Sequence, residues 1–256
     1  MKLETSMGMQ YSNTTTKDGL LQDCEFWTGL GDGNISGDST LKARFTGLLN
    51  RAYDEVLPIV FSSDAKWQWD DSNHTKNPIA TTDLVSGQAE YSFTSDEQGN
   101  SILEIEAVYV KGPDGQWKRL AAIDTESDAG TDAVFAQNSN NTGTPTRYEK
   151  RANSIWLDKV PDYSQAGGIR VLFARTPDYF TTSDTTQTPG IPAPFHRLLS
   201  LIASYDWVCV NKAENVTLIS RLEVKIAETQ RQLGAHMSKR SRDERPVIRT
   251  RSESSR

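Results

Sequence analysis

The stretch PFHRLLSLIASYDWVCVN, residues 194–211, decides the fold because it returns the chain to a helical pattern after a long region patterned like strands. Pro192 and Pro194 favour the start of a helix at this point. A second helix follows a break at 211–215, whose asparagines are better caps than interior residues, and it ends near Gly234. Apolar residues recur in both helices at steps of three and four, which places each set on one face: Phe195, Leu198, Leu199, Ile202, Tyr205 and Val208, then Val216, Ile219, Leu222, Ile226 and Leu233.

Two further helices are predicted before the strand region. The first spans residues 18–27 and ends at a glycine-rich turn. The second spans residues 40–59, begins after an N-cap at Asp38 or Ser39, and ends at Pro58. Their apolar residues again form one stripe per helix: Leu20, Leu21, Cys24 and Trp27, then Leu41, Phe45, Leu48, Leu49, Ala52, Val56 and Ile59.

Between the helical parts the apolar pattern changes to a period of two, which is typical of strands. The turn sequence GPDG at 112–115 predicts a hairpin, and Pro161 and Gly167-Gly168 bracket a second one. An antiparallel meander is favoured, because no helical crossover fits between the strands. The polar residues 124–146 predict a long loop. The predicted strands are 79–85, 89–93, 103–111, 117–122, 147–151, 154–157 and 169–176.

The sequence therefore predicts an α+β fold: a helical bundle from the N- and C-terminal helices, with an inserted antiparallel β domain and an extended C-terminal arm. The predicted segments are a flexible N-terminal arm at 1–17, helical parts at 18–77 and 181–236, the β domain at 78–180 and a basic C-terminal arm at 237–256.

The composition is that of a globular protein with a sizeable core. The chain has 256 residues, of which 36% are hydrophobic and 24% are charged. No apolar run is long enough to span a membrane, and residues 1–19 lack the apolar segment of a signal peptide. Two cysteines, Cys24 and Cys209, predict no disulfide framework but buried free thiols and a reducing compartment.

The most unusual segment is the basic arm at 237–256. It holds seven Lys or Arg residues against three acids, a net charge of +4, whereas the whole chain carries −6 and the other residues therefore carry −10. Such a segment has too few apolar residues to build its own core, so it is either a solvated tail, a phosphate-binding segment or an arm that docks on a protein. An acidic body with a basic arm favours self-association or insertion of the arm into an acidic neighbour. The net charge of −6 does not suggest a general nucleic-acid binder, because the basic charge is concentrated at one end of the chain.

Metal and catalytic sites are not indicated. Asp32, Asn34 and Ser36 match the first half of a calcium loop, but its last position is Ala43 instead of glutamate. An acidic loop, whose possible ligands are Asp70, Asp71, Asn73 and His74, is interpreted as solvated. His196 is interpreted as structural, since no nucleophile or phosphate-binding motif accompanies it. The sequence therefore predicts neither an enzyme nor a cofactor.

Several short strings resemble a family of tailed-phage virion proteins, the connector or adaptor proteins of the head–tail junction. The likeness covers most of residues 18–245 and is one of short strings without a catalytic signature. The strings are GLLQD at 19–23, GLGD at 29–32, WQWDDSN at 67–73, PIATTDLVSGQ at 78–88, GTPTRY at 143–148, RTPDYF at 175–180 and FH at 195–196.

The resemblance implies a structural virion protein that forms a ring, usually of twelve copies, below the portal protein and above a neck or tail protein. Genomic DNA would cross its channel without sequence-specific binding, and assembly would take place in the host cytoplasm with no membrane involved. The C-terminal arm would dock on the portal. The expected docking residues are Arg240, Arg242, Arg245, Pro246, Val247, Ile248, Arg249 and Arg251.

Two alternatives remain open at the level of sequence. The chain is also compatible with another neck, tail-completion or decoration protein, whose β domain would be the binding surface. An enzyme with a carbohydrate-active β domain would require convergent carboxylates in a cleft.

Overall fold

The computed structural model describes residues 8–63, 79–95, 102–123, 141–151 and 154–243. The chain divides into two compact units, one of Met1–His74 with Asp178–Arg256 and the other of Thr75–Pro177. The described residues form four α-helices and eight strands in two sheets, which confirms the α+β class. No helix among them is both long and apolar enough to cross a bilayer.

In the first unit, α1 spans Leu20–Thr28 and α2 spans Ser39–Ser63. Asp38 caps α2 as predicted, because its carboxylate accepts the backbone N–H of Leu41 at 2.8 Å. The predicted end at Pro58 is wrong, since the helix continues for another turn. Val56 and Val60 are fully buried on either side of the proline, and this packing outweighs the lost hydrogen bond.

A short 3₁₀ turn at Ala193–Phe195 leads into α3, which spans Arg197–Asn211, and α4 spans Val216–Asp243. The predicted break at 211–215 is confirmed, and the Asn215 side chain accepts the N–H of Leu218 at 3.2 Å. The predicted end near Gly234 is wrong. Leu233 and Met237 are fully buried and continue the stripe, which outweighs the cost of about 1 kcal/mol for an interior glycine.

The extension of α4 corrects the predicted C-terminal arm. Residues 237–243 are helical, not extended, so an extended arm begins no earlier than residue 244. Residues 244–256 lie outside the described part of the chain.

The predicted flexible arm at 1–17 is also corrected for residues 8–17. Tyr11 is fully buried, its hydroxyl lies 2.6 Å from that of Thr46, and its ring stacks on Phe180 at 5.2 Å. The backbone N–H of Tyr11 donates to Gln187 at 2.7 Å. A single aromatic residue thus holds a polar segment against the helices, because burying one large ring offsets the ordering of its neighbours.

One core cluster fills the first unit and joins all four helices with the segments before α1 and α3. Cys24 is buried in it as a free thiol, as predicted, whereas Cys209 is only half-buried. The fully buried large side chains of this cluster include Tyr11, Leu20, Leu21, Ile35, Phe45, Leu49 and Tyr53.

The described residues of the second unit form two four-stranded sheets. One has the order β1-β8-β3-β4 and is antiparallel; the other has the order β2-β7-β6-β5, in which β5 runs parallel to β6. The strands are β1 Ile79–Leu84, β2 Glu90–Ser92, β3 Ile102–Lys111, β4 Trp117–Arg119, β5 Ala121–Ile123, β6 Arg147–Arg151, β7 Ser154–Leu157 and β8 Gln165–Arg175.

The β3–β4 hairpin at 112–115 is confirmed, but the predicted meander is wrong, because β8 lies between β1 and β3. The second predicted hairpin is also wrong, since β7 and β8 belong to different sheets. Gly167 instead lies in an irregular stretch of β8, with a φ of 55°, and donates its N–H to Asp83 at 2.6 Å. The predicted strand 117–122 is split at Leu120, and the chain passes there from one sheet to the other.

Candidate interaction surfaces

The described residues contain no group of three or more His, Cys, Asp or Glu side chains arranged to hold a metal. The acidic loop with Asp70, Asp71, Asn73 and His74 lies outside them. His196 is 1% exposed, and its ring nitrogens lie 3.1 Å from the carbonyl oxygen of Met9 and 2.8 Å from that of Ile191. It therefore links the N-terminal segment to the loop before α3, which supports the structural interpretation.

The glycine-rich loop that resembles half a calcium site is closed by an internal carboxylate. Glu25, on α1 and 1% exposed, accepts the backbone N–H groups of Gly33, Ile35 and Ser36 at 2.8–3.0 Å and the Ser36 hydroxyl at 2.9 Å. Asp32, the first expected ligand, has 80% of its side chain exposed. The loop is thus a structural turn. The carboxylate that closes it belongs to Glu25, which is not part of the calcium-loop motif. The available signal was a glutamate four residues after Leu21, on the apolar side of α1.

A basic surface surrounds the indole of Trp27, and we call Phe26, Trp27, Arg197, Arg221 and Lys225 the Trp27 patch. The guanidinium of Arg197 lies 5.2 Å from the centre of the Trp27 ring, and the cationic groups of Arg221 and Lys225 each lie 5.7 Å from it. These are cation–π distances. Beside the patch, Lys212 donates to the Thr28 carbonyl at 2.7 Å and so satisfies the C-terminal end of α1.

Few acidic side chains among the described residues neutralise the positive charge of the Trp27 patch. Asp23 pairs with Arg197, with N and O atoms 3.1 Å apart. Neither Arg221 nor Lys225 forms an ion pair with another described residue. Positive charge therefore accumulates here, although the chain as a whole is acidic.

A second charged surface is the acidic pair, Glu55 on α2 and Asp206 on α3. Burial, and then repulsion by Asp206, raises the pKa of Glu55. Burial also raises the pKa of Asp206, and Arg51 offsets part of this shift. The charge of Asp206 thus disfavours ionisation of Glu55.

Replacing Glu55 by Gln is expected to raise Tm slightly at about pH 7. A carboxyl whose pKa is raised in the folded state favours folding when protonated and opposes it when ionised. The penalty is therefore present above the folded pKa of Glu55 and disappears below its unfolded pKa of about 4.3. Solvent screening keeps the increase to about 1–2 °C.

Thermal melting at about pH 7 and about pH 4 checks this expectation. Glu214→Gln, at an exposed glutamate between α3 and α4, is the matched control and should leave Tm unchanged at both pH values. A Tm gain for Glu55→Gln that persists at the lower pH would contradict the ionised carboxylate of Glu55 as its cause.

The family model for the SU10 adaptor protein matches residues 15–250. The chain belongs to the SU10 adaptor protein family. No curated protein matches it.

Membership confirms the resemblance to phage head-to-tail adaptors predicted from the short strings. The SU10 adaptor family is one of phage structural proteins, which are generally not enzymes, and virion localisation fits this role. The match includes both compact units and continues through residue 250. It therefore covers most of the predicted docking residues.

The structure places the predicted docking residues of this SU10 adaptor in two parts. Arg240 and Arg242 belong to the last turns of α4, three and five residues beyond the buried Met237. The other expected contacts lie outside the described residues: Arg245, Pro246, Val247, Ile248, Arg249 and Arg251. Sequence reasoning missed both the Trp27 patch and the acidic pair.

Proposed function

We propose that this SU10 adaptor is a head-to-tail adaptor that forms a ring of twelve copies below the portal of a phage virion. The family match over residues 15–250 carries this proposal. The helices pack side by side around a channel that genomic DNA crosses, and the inserted β domain either faces outward or meets a neck or tail protein. Assembly takes place in the host cytoplasm.

The charge distribution supports both parts of this function. The acidic body disfavours tight binding of DNA, since like charges repel the phosphate backbone. The basic residues at 237–256 suit an acidic groove on the portal. Because α4 continues to Asp243, we place the docking segment at residues 244–256, preceded by Arg240 and Arg242 on the helix.

Deleting residues 244–256 is expected to weaken binding to the portal by at least about 30-fold, the effect of losing one interface hot spot. The cut follows the last described helical residue and leaves Met237 in the core, so Tm should not change. Affinity for purified portal is measured by biolayer interferometry, and rings on the portal are imaged by cryo-electron microscopy.

A matched variant separates charge from chain length. Replacing Arg245, Arg249 and Arg251 with Gln keeps the segment intact and is expected to reproduce most of the loss. Equal portal affinity for the intact and shortened chains would overturn the docking segment while keeping the adaptor. Absence of any ring or portal complex with the intact chain would overturn the adaptor and favour a neck, tail-completion or decoration protein.

A further inference from the structure

The Trp27 patch has the composition of a protein-binding surface. Phe26 is 70% exposed, and its ring meets that of Trp27 edge-on at 5.4 Å. An exposed aromatic ring beside arginines is the combination found at the energetic centres of interfaces. Arg221 and Lys225 lack ion-pair partners among the described residues, so an acidic partner would add contacts without breaking existing ones.

The acidic pair lies on the other side of the same helix. Arg197 of the patch and Asp206 of the pair are nine positions apart on α3, which is about two and a half turns, so they point in opposite directions. Asp206 faces α2, where Glu55 and Arg51 lie within electrostatic range of it. The first unit thus carries opposite charges on opposite sides of α3.

This arrangement favours a head-to-tail contact over a symmetric one. A patch of three cations repels its own copy across a two-fold axis, whereas it attracts the acidic pair of a neighbour. Two different, complementary surfaces on opposite sides of α3 generate a contact that repeats from copy to copy, and such a contact gives a ring when the rotation between copies closes. The crowded carboxylates also gain, because a neighbour's cations would offset the repulsion between Glu55 and Asp206.

We infer that the Trp27 patch of one copy docks on the acidic pair of the adjacent copy and forms the lateral interface of the ring. This inference rests on the proposed ring-forming function. The partner is a second copy of this chain, chosen because it supplies the complementary acids. Phosphate groups of DNA would match the cations but would leave Phe26 exposed and the acidic pair unused.

Two charge-reversed variants test the pairing. Arg221→Glu with Lys225→Glu gives a chain whose two surfaces are both acidic, and Glu55→Lys with Asp206→Lys gives a chain whose two surfaces are both basic. Each variant alone should lower the fraction of chain in rings by at least about tenfold, since like charges would meet at every contact. Mixed in equal amounts, they should form rings again, with the two variants alternating.

The matched control is Arg44→Glu with Arg231→Glu, which makes the same change in charge at exposed positions outside the patch. It should assemble like the unaltered chain. Ring formation of the full chain, with and without portal, is measured by sedimentation velocity and negative-stain electron microscopy, and melting confirms that each variant is folded. If a reversed variant fails to fold, Arg221→Gln with Lys225→Gln replaces it and should weaken assembly more moderately.

The outcomes separate this inference from the proposed function. Rings that form equally well from each reversed variant, or a mixture that does not recover, would overturn the lateral interface while the adaptor function stands. A reversed patch that keeps rings but loses DNA binding would assign the patch to phosphate and also overturn it. Failure of the unaltered chain to form rings would instead overturn the proposed function.

Discussion

Replacing Tyr11 by Ala is expected to lower the free energy of unfolding of the helical unit by about 3–5 kcal/mol, the usual cost of deleting a buried aromatic side chain. Tyr11 is fully buried and stacks on Phe180, which in turn stacks on Tyr53 at 5.5 Å. Its loss would leave a cavity and would also release the segment that precedes α1. Chemical denaturation followed by far-UV circular dichroism measures the change.

Tyr11→Phe is the matched control for this prediction. It keeps the ring and removes only the hydrogen bond with Thr46. Thr46 retains a second partner, the carbonyl of Lys42 at 2.7 Å, so the expected cost is about 1 kcal/mol. Near-native stability of Tyr11→Ala would contradict the packing of residues 8–17 and restore the flexible arm predicted from sequence.

Replacing Glu25 by Ala is expected to destabilise the helical unit by roughly 3–4 kcal/mol, because four donors lose a charged acceptor at once. Ile35, one of these donors, is fully buried, so its N–H would find no water in exchange. The expected fall in Tm is roughly 10 °C. Limited proteolysis should cleave the loop between α1 and α2 faster than in the unaltered chain.

Two further variants test how Glu25 acts. Glu25→Gln keeps the size of the side chain but replaces one acceptor oxygen with a donor, and it should cost about half as much as the alanine variant. Asp32→Ala should be nearly neutral, since the Asp32 carboxylate is exposed. If added calcium stabilised the unaltered chain and Asp32→Ala abolished that effect, the loop would be a cation site instead of a structural turn.

Local patterns in the sequence located the four described helices but not all of their ends. Spacings of three and four residues placed all four of them, and short-range capping chemistry identified Asp38 and the break before α4. Where helix ends were misplaced, at Pro58 and Gly234, an intrinsic helix breaker was outweighed by buried residues on both sides. The helix-propensity cost of an interior glycine is about 1 kcal/mol, and the free energy gained by packing buried side chains can exceed it.

In the sheets, the sequence pattern could not predict the order of the strands. The alternation of apolar and polar residues located most strands within a few residues. A strand shows the same alternation whichever strands lie next to it in the sheet. Ile169, Val171 and Phe173 alternate on β8 and are buried, and nothing in that pattern states that β8 lies between β1 and β3. Strand order depends on contacts between residues distant in sequence, so the predicted meander failed.

Of the candidate surfaces, some were visible in the sequence and others are formed only by tertiary contacts. The basic segment and the family resemblance were visible in the sequence, because charge and short strings are properties of neighbouring residues. The Trp27 patch joins residues from α1, α3 and α4, and the acidic pair joins α2 to α3.

The sequence by itself thus determined the α+β class, the helix positions, the overall charge pattern and the family. Only the tertiary structure decided the order of the strands, the burial of Tyr11, the role of Glu25 and the two charged sides of α3. Each of these depends on residues that are brought together by packing, and the sequence records their types but not their proximity.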